Sequence, residues 1–150
     1  MRVKDLFSAD DLDAIQQAIA IAEEGTTGEI RVHLTRRSRE VTLVAAREMF
    51  GRVNMHKTED CNGVLIYVDV NTRDAAVWSD VGLNDRLKAS FWSDEIDGLT
   101  KRFAHGEYRL GVVEMVQDVG RVLHNFFPSG ESQTANQLSN EVSIDDEEKS

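Results

Sequence analysis

The chain has 150 residues and a formal net charge of −10 at pH 7, and 41% of its residues are hydrophobic and 29% charged. These values are typical of a globular protein and exclude a wholly disordered chain, while the single cysteine, Cys61, excludes an internal disulfide and a cysteine-rich zinc site. An acidic surface repels DNA phosphates, so we expect no nucleic-acid partner.

The first third of the chain predicts a helix, a strand and a second helix. Ser8 is a suitable N-cap, apolar residues follow it at helical spacing, and Gly25 is placed to end the helix. Residues 28–35 alternate between apolar and polar side chains, which is typical of a strand covered on one face. The second helix is predicted from Ser38 to about Asn54.

The central part of the chain predicts two neighbouring strands. Residues 64–68 form a continuous apolar run, which is typical of a strand covered on both faces. A second run follows at residues 75–79, and the short break between the two predicts an antiparallel hairpin. The break, residues 69–73, has the position of an aspartyl phosphatase nucleophile, but Asn71 stands where the motif Asp-x-Asp-x-Thr needs its second aspartate. A hairpin turn is therefore the favoured interpretation.

Two further helices complete the predicted fold. One begins at Ser90 or Ser93 and ends near residue 104, and the other covers residues 108–127 and is stopped by Pro128. The order of elements is α-β-α-β-β-α-α, and its strand–helix–strand unit implies a parallel pair with a right-handed crossover. The fold class is therefore α/β, with a small mixed sheet of about three to four strands sandwiched by about four helices.

The C-terminal part of the chain has a different composition. Residues 129–150 are rich in Ser, Gln, Asn and acidic residues without apolar periodicity, so we expect a single domain of residues 1–128 and a disordered acidic tail. No segment reaches the roughly 18–20 apolar residues of a membrane span. We recognise no signal peptide at the N-terminus, and we expect a cytoplasmic protein without direct membrane insertion.

Three polar segments should meet at one end of the predicted sheet. Two parallel strands begin at the same end, and the third strand runs back and finishes there. The segments are residues 26–29, 59–63 and 79–85. Their oxygen atoms suit a hard cation, which predicts a Ca²⁺ or Mg²⁺ site, whereas turn formation and helix capping are the alternative roles of the same residues. The candidate metal ligands are the side chains of Glu29, Asp60, Asp80, Asn84 and Asp85.

The same segments carry a resemblance to a known family. In their order and spacing, the motifs between about residues 7 and 128 resemble a TPM domain, here as a short soluble bacterial-type member. The motifs are Ser-Ala-Asp-Asp at 8–11, Thr-Gly-Glu-Ile at 27–30, Asn-Gly-Val-Leu-Ile at 62–66, Asp-Val-Gly-Leu-Asn at 80–84 and Phe-Ala-His-Gly-Glu-Tyr-Arg-Leu-Gly at 103–111. Singly these motifs are weak, and together they are specific.

The resemblance has implications for fold and function. It implies an α/β sandwich, divalent-cation binding as in some members, and the acid phosphatase activity that is proposed for plant relatives. The usual family pattern after the third strand is roughly Gly-x-Gly-Leu-Glu, whereas this chain has Asp80 for the first glycine and Asn84 for the glutamate. Asp80 adds a candidate ligand, and Asn84 removes a carboxylate. Many relatives are anchored in a membrane, so a membrane-associated protein partner is a further expectation.

Three functions stay open on the sequence. The first is a soluble divalent-cation-binding domain that regulates or scaffolds a protein partner. The second is a metal-dependent acid phosphatase acting on phosphomonoesters, although the chain offers no convincing nucleophile; Cys61 would need an arginine at the position of Tyr67. The third is a metal-free interaction domain that works through the acidic tail.

Other polar residues are assigned structural roles. His33 lies on the more polar face of its strand, where a surface or packing role is favoured over a metal ligand. Arginines cluster near the end of the same strand, and a solvated loop is favoured over an anion site. They are Arg31, Arg36, Arg37 and Arg39.

Overall fold

The computed structural model describes residues 2–36, 41–129 and 142–145. Within these ranges the chain forms six α-helices and four strands, with a short 3₁₀ helix, Met55–Lys57, after the third α-helix. In chain order the elements are α1 Val3–Leu6, α2 Ala9–Glu23, β1 Glu29–Thr35, α3 Thr42–Arg52, β2 Gly63–Asp69, β3 Asp74–Ser79, α4 Val81–Asn84, α5 Phe91–Ala104, α6 Tyr108–Phe126 and β4 Ser143–Asp145.

The four strands form one mixed sheet in the order β3-β2-β1-β4. β1 and β2 are parallel along their whole length, from Glu29 opposite Gly63 to Thr35 opposite Asp69. β2 and β3 form the antiparallel hairpin, and β4 adds a second parallel neighbour to β1. The predicted α/β class, the parallel pair and the hairpin are therefore confirmed.

The sheet is buried from both sides. On one face, Val32 of β1 and Ile66 of β2 belong to a large apolar cluster with residues of α2, α5 and α6. On the other face, Leu65 and Tyr67 form a second cluster with Phe50 and its neighbours on α3. Every residue of β2 is buried, as the continuous apolar run predicts.

The helix ends follow local sequence signals. The Ser8 hydroxyl accepts the backbone N–H of Asp11 at 3.1 Å, and the Asp11 carboxylate accepts the Ser8 N–H at 2.9 Å, which makes a capping box at the start of α2. Gly25 follows the helix with a left-handed φ of 76°. α3 begins at Thr42, and the predicted cap Ser38 lies outside the described residues. In the described part of the chain, no helix is long and apolar enough to cross a membrane.

β1 differs from the predicted strand with one covered face. Arg31 is its one partly exposed residue, and the other six are buried. The His33 ring stacks on Tyr67 with centroids 5.2 Å apart, and its Nδ1 lies 2.8 Å from Ser143 Oγ. The packing role of His33 is thus confirmed. The alternation of apolar and polar residues along β1 does not correspond to alternating exposure, because neighbouring elements bury both faces of the strand.

The acidic tail also differs from expectation where the structure describes it. The Ser129 N–H donates to the Gly25 carbonyl at 2.9 Å, and Ser143–Asp145 form β4. The prediction of a disordered tail over residues 129–150 is wrong for these residues, and the rest of the tail lies outside the described ranges. A strand of three residues is too short to produce a recognisable period in the sequence.

Candidate functional site

The three polar segments meet at the end of the sheet where β1 and β2 begin. The Thr27 hydroxyl donates to Asp60 Oδ2 at 2.6 Å, and the Asn62 side-chain amide donates to Thr27 Oγ1 at 3.0 Å. Gly82 brings in the third segment, because a Cβ at this position would collide with the carbonyl oxygens of Asp60 and Cys61. Only glycine allows so close an approach of two backbones. The predicted convergence is therefore confirmed.

Asn62 lies at the buried centre of this end of the sheet. Its side chain is fully buried, and its backbone N–H donates to Thr58 Oγ1 at 3.1 Å. Since the Thr27 hydroxyl already donates to Asp60, it can only accept from Asn62, which fixes the orientation of the amide. The Asn62 Oδ1 is then left buried without a hydrogen-bond partner in the described part of the chain. An oxygen in that state costs about 1–3 kcal/mol, which a cation or a donor would recover.

Asp80 is held beside the start of β2. Its backbone N–H donates to the Gly63 carbonyl at 3.0 Å, and its Oδ1 accepts the Val81 N–H at 2.8 Å as the N-cap of α4. Its side chain is half-buried, while that of Asp60 is exposed. Both carboxylates thus belong to the segments that converge on Gly82.

Asn84 and Asp85 lie on the far side of the same turn. The Asn84 Oδ1 accepts from Ser79 Oγ at 3.0 Å and from Trp92 Nε1 at 3.2 Å, so it ties α4 to β3 and α5. Asp85 is exposed and caps the C-terminus of α4. The side-chain oxygen of Asn84 is therefore already engaged by two donors.

Glu29 belongs to a separate buried pair with Glu23, the last residue of α2. The two side chains are 4% and 9% exposed, and the Ile30 N–H donates to Glu23 Oε2 at 2.7 Å. Burial raises the pKa of Glu23 to about 8; the Ile30 hydrogen bond opposes this shift, and the charge and hydrogen bond of Glu29 add to it. Sequence reasoning missed Glu23, since an acid in the last turn of a helix is usually exposed and nothing local distinguishes this one.

The grouping of acidic side chains is sparse. Among the residues that the structure describes, no three His, Cys, Asp or Glu side chains stand close enough together to hold a metal ion. The fold links Asp60 to the Asn62 amide through Thr27 and places the backbone of Asp80 beside Gly63, whereas Glu29 and Asn84 face other partners. A cation at this end of the sheet would need backbone carbonyls and water for the rest of its shell, which Ca²⁺ accepts.

The hairpin between β2 and β3 has a structural explanation. Asp69 Oδ1 accepts the N–H groups of Asn71 at 2.9 Å and Thr72 at 3.4 Å, and the Asn71 side chain donates to the Arg36 carbonyl at 2.6 Å. Burial raises the pKa of Asp69, and the two N–H groups oppose that shift. The predicted hairpin turn is confirmed, at the opposite end of β2 from Asp60.

Comparisons with known proteins agree with this architecture. The family model for the TPM domain matches residues 2–122. The chain is 31% identical to the BA42 protein of Bizionia argentinensis, whose NMR structure superposes with a TM-score of 0.85 over 95% of this chain and 98% of that one. No curated protein matches the chain.

Two more distant structures share the fold. The N-terminal domain of a P. gingivalis protein has 22% identity and a TM-score of 0.63, and the match covers 82% of this chain and 80% of that one. The N-terminal domain of the cg2496 protein of Corynebacterium glutamicum has 12% identity and a TM-score of 0.63, with 91% and 86% covered. At these identities the likeness concerns the fold alone.

Proposed function

This chain belongs to the TPM domain family, and from that premise we propose that it binds a divalent cation, Ca²⁺ or Mg²⁺, where β1 and β2 begin. In this role the domain is a regulatory or scaffolding module whose contact with a protein partner depends on the cation. The proposed side-chain ligands are Asp60, Asp80 and Asn62. Backbone carbonyls of the 59–63 turn and water molecules complete the shell of roughly six to eight oxygens that Ca²⁺ takes.

The observation that carries this proposal is the buried Oδ1 of Asn62, which has no donor within the described ranges. The Nδ2 of the same amide donates to Thr27, whose hydroxyl donates to Asp60, so Thr27 links the Asn62 amide to an acidic side chain. Cys61, with a left-handed φ of 51°, turns the backbone between Asp60 and Asn62. Cation binding would satisfy an oxygen that the fold otherwise buries at a cost.

The electrostatics of the region support the same proposal. The chain carries a net charge of −10, and both Asp60 and Asp80 stand at the accessible rim of this end of the sheet. A negative field raises the local concentration of cations. Ca²⁺ fits better than Mg²⁺, because carbonyl and amide oxygens on a turn give an irregular shell, while Mg²⁺ demands near-octahedral geometry.

Titration of the ¹⁵N-labelled chain with Ca²⁺ and then with Mg²⁺, followed by NMR, tests the proposal. The amide signals of residues 26–28, 59–63 and 79–83 should shift together with one dissociation constant, and Na⁺ at equal ionic strength should leave them in place. The Asn62 side-chain amide should shift with them. Unmoved signals at millimolar Ca²⁺ and Mg²⁺ would refute a cation site, and shifts spread over all acidic residues would indicate unspecific screening.

A further inference from the structure

β1 has a partly covered edge. β4 pairs in parallel with its last three residues, His33 to Thr35. Its first half, from Glu29 to Val32, has no strand on that side in the described part of the chain, and the Ile30 N–H there is taken by Glu23 Oε2. The edge of a strand presents backbone N–H and C=O groups that an extended segment can pair with.

Residues 142–145, which we name the C-terminal strap, make specific contacts with this edge. The Arg36 N–H donates to the Asp145 carbonyl at 3.1 Å. The Ser143 hydroxyl lies 2.8 Å from Nδ1 of the buried His33, and it also donates to the Val32 carbonyl at 3.4 Å. The edge of a sheet recognises an added strand in the same way: main-chain hydrogen bonds give affinity, and the side chains at alternate positions give specificity.

Apolar burial adds an anchor at one end of the strap. Val142 is 9% exposed and belongs to the main core cluster, whereas Ile144 is 39% exposed. The edge therefore accepts an apolar side chain at the position of Val142 and a small hydroxyl at that of Ser143, and it leaves the next position open to solvent.

The strap is a short element. Its strand has three residues, against about five to six in a typical strand. An element with so few ladder bonds opens locally at a lower free energy than the whole domain. Partial opening exposes the edge of β1 without unfolding the sheet.

We propose that the edge of β1 is a docking site for an extended acidic segment of a partner protein, and that the C-terminal strap is its internal occupant. The partner segment runs parallel to β1 and repeats the chemistry of Val142 to Asp145, with an apolar residue, a serine or threonine, an open position and an acid. The strap must leave before the partner binds. This proposal concerns a different edge from the cation site and does not depend on it.

The charge of the strand supports an acidic partner. Arg31 lies on the half of β1 that no described strand covers, and its Nε is buried without a hydrogen-bond partner among the described residues. In the register of the strap, His33 stands opposite Ser143. The residue opposite Arg31 is therefore two positions before the serine. A partner with an acid at that position would pair with the guanidinium.

A labelled peptide with the sequence of residues 140–150 tests the proposal against the full chain and its Ser143→Pro variant. Proline removes the hydroxyl and a backbone N–H, so the variant's own strap cannot pair. By fluorescence anisotropy, the peptide should bind the variant at least tenfold more tightly than the parent. Ile144→Ala, which changes an exposed side chain, is the matched control and should bind like the parent.

Hydrogen exchange locates the binding. The Arg36 amide should exchange faster in the Ser143→Pro variant than in the parent, and saturation with peptide should restore its protection. Equal peptide affinity for parent and variant, absence of binding to both, or unchanged Arg36 exchange would each overturn the proposal. A parent that is dimeric in solution and becomes monomeric on Ser143→Pro would assign the edge to a second copy, and would overturn it too.

Discussion

At the scale of single residues, the pair Glu23 and Glu29 joins the end of α2 to the start of β1. Two carboxyl groups that share a buried site do not both ionise readily, so the pair retains a proton near neutral pH. Glu23 meanwhile accepts the Ile30 N–H at 2.7 Å, a backbone group that would otherwise be unpaired at the edge of the sheet. Glu23 thus ties the end of α2 to the second residue of β1.

The raised pKa of Glu23 predicts how stability depends on pH. The pKa rises from 4.5 to about 8 on folding, so between these values the folded state binds more protons than the unfolded state. The unfolding free energy should therefore fall as pH rises from about 5 to 8, by at most about 1.4 kcal/mol per pH unit. Urea unfolding at several pH values measures this slope.

Two variants isolate the source of that slope. Glu23→Gln keeps an acceptor for the Ile30 N–H but cannot ionise, so its stability should be flatter across this range and exceed that of the parent at pH 8. Glu24→Gln alters the exposed neighbouring acid and should behave as the parent. If Glu23→Gln and the parent lost stability in parallel, the pair would not be the cause.

Gly82 and Gly98 predict opposite effects of the same substitution. Gly82→Ala drives a methyl group into the Asp60 and Cys61 carbonyls, so it should destabilise the protein by about 1–3 kcal/mol. A Cβ at Gly98, inside α5, meets nothing within 4 Å, so Gly98→Ala should stabilise by about 0.5–1 kcal/mol. Thermal melts of both variants provide the measurement. A neutral Gly82→Ala would contradict the close approach of the three segments.

At the scale of elements, β2 is the strand on which both layers of helices depend. Ile66 is fully buried at its centre, so Ile66→Ala should cost about 2–5 kcal/mol. Ile21 is 67% exposed on α2, so the same truncation there should change stability by about 0.5 kcal/mol or less. Denaturant unfolding compares the two. Similar losses for both variants would be incompatible with β2 as the core strand.

The elements that the sequence predicts and those that it misses differ in length. The helices α2 and α6 are long enough to show a repeated helical period, and the strand β2 is long enough to show a continuous apolar run. The sequence therefore predicts all three. α1, α4 and β4 have three or four residues each, so they lack a period and form because tertiary contacts hold them. Asp80 illustrates the limit, since its place after β3 was predictable and its role as the cap of α4 was not.

At the scale of the whole molecule, topology predicted the meeting of the three polar segments better than composition did. Parallel strands that begin at one end of a sheet must bring their preceding loops together, and this rule placed Thr27, Asp60 and Gly82 side by side. The rule predicts where in the sheet a residue lies, but not which other elements pack over its side chain. Glu29 and His33 were therefore assigned to the correct strand, while their burial and their partners Glu23 and Ser143 depend on elements distant in sequence.

Calorimetric titration of Ca²⁺ into the parent, Asp80→Asn and Asp85→Asn tests the cation site most directly. Asparagine is also a good N-cap, so Asp80→Asn keeps α4 while it removes one charge from the site. Asp85 comes five residues later, about 140° around the helix, and carries the same charge, which makes it the matched control. We predict at least tenfold weaker binding, about 1.4 kcal/mol, for Asp80→Asn and parent-like binding for Asp85→Asn. Equal affinities for all three proteins, or no heat of binding to the parent, would contradict the account.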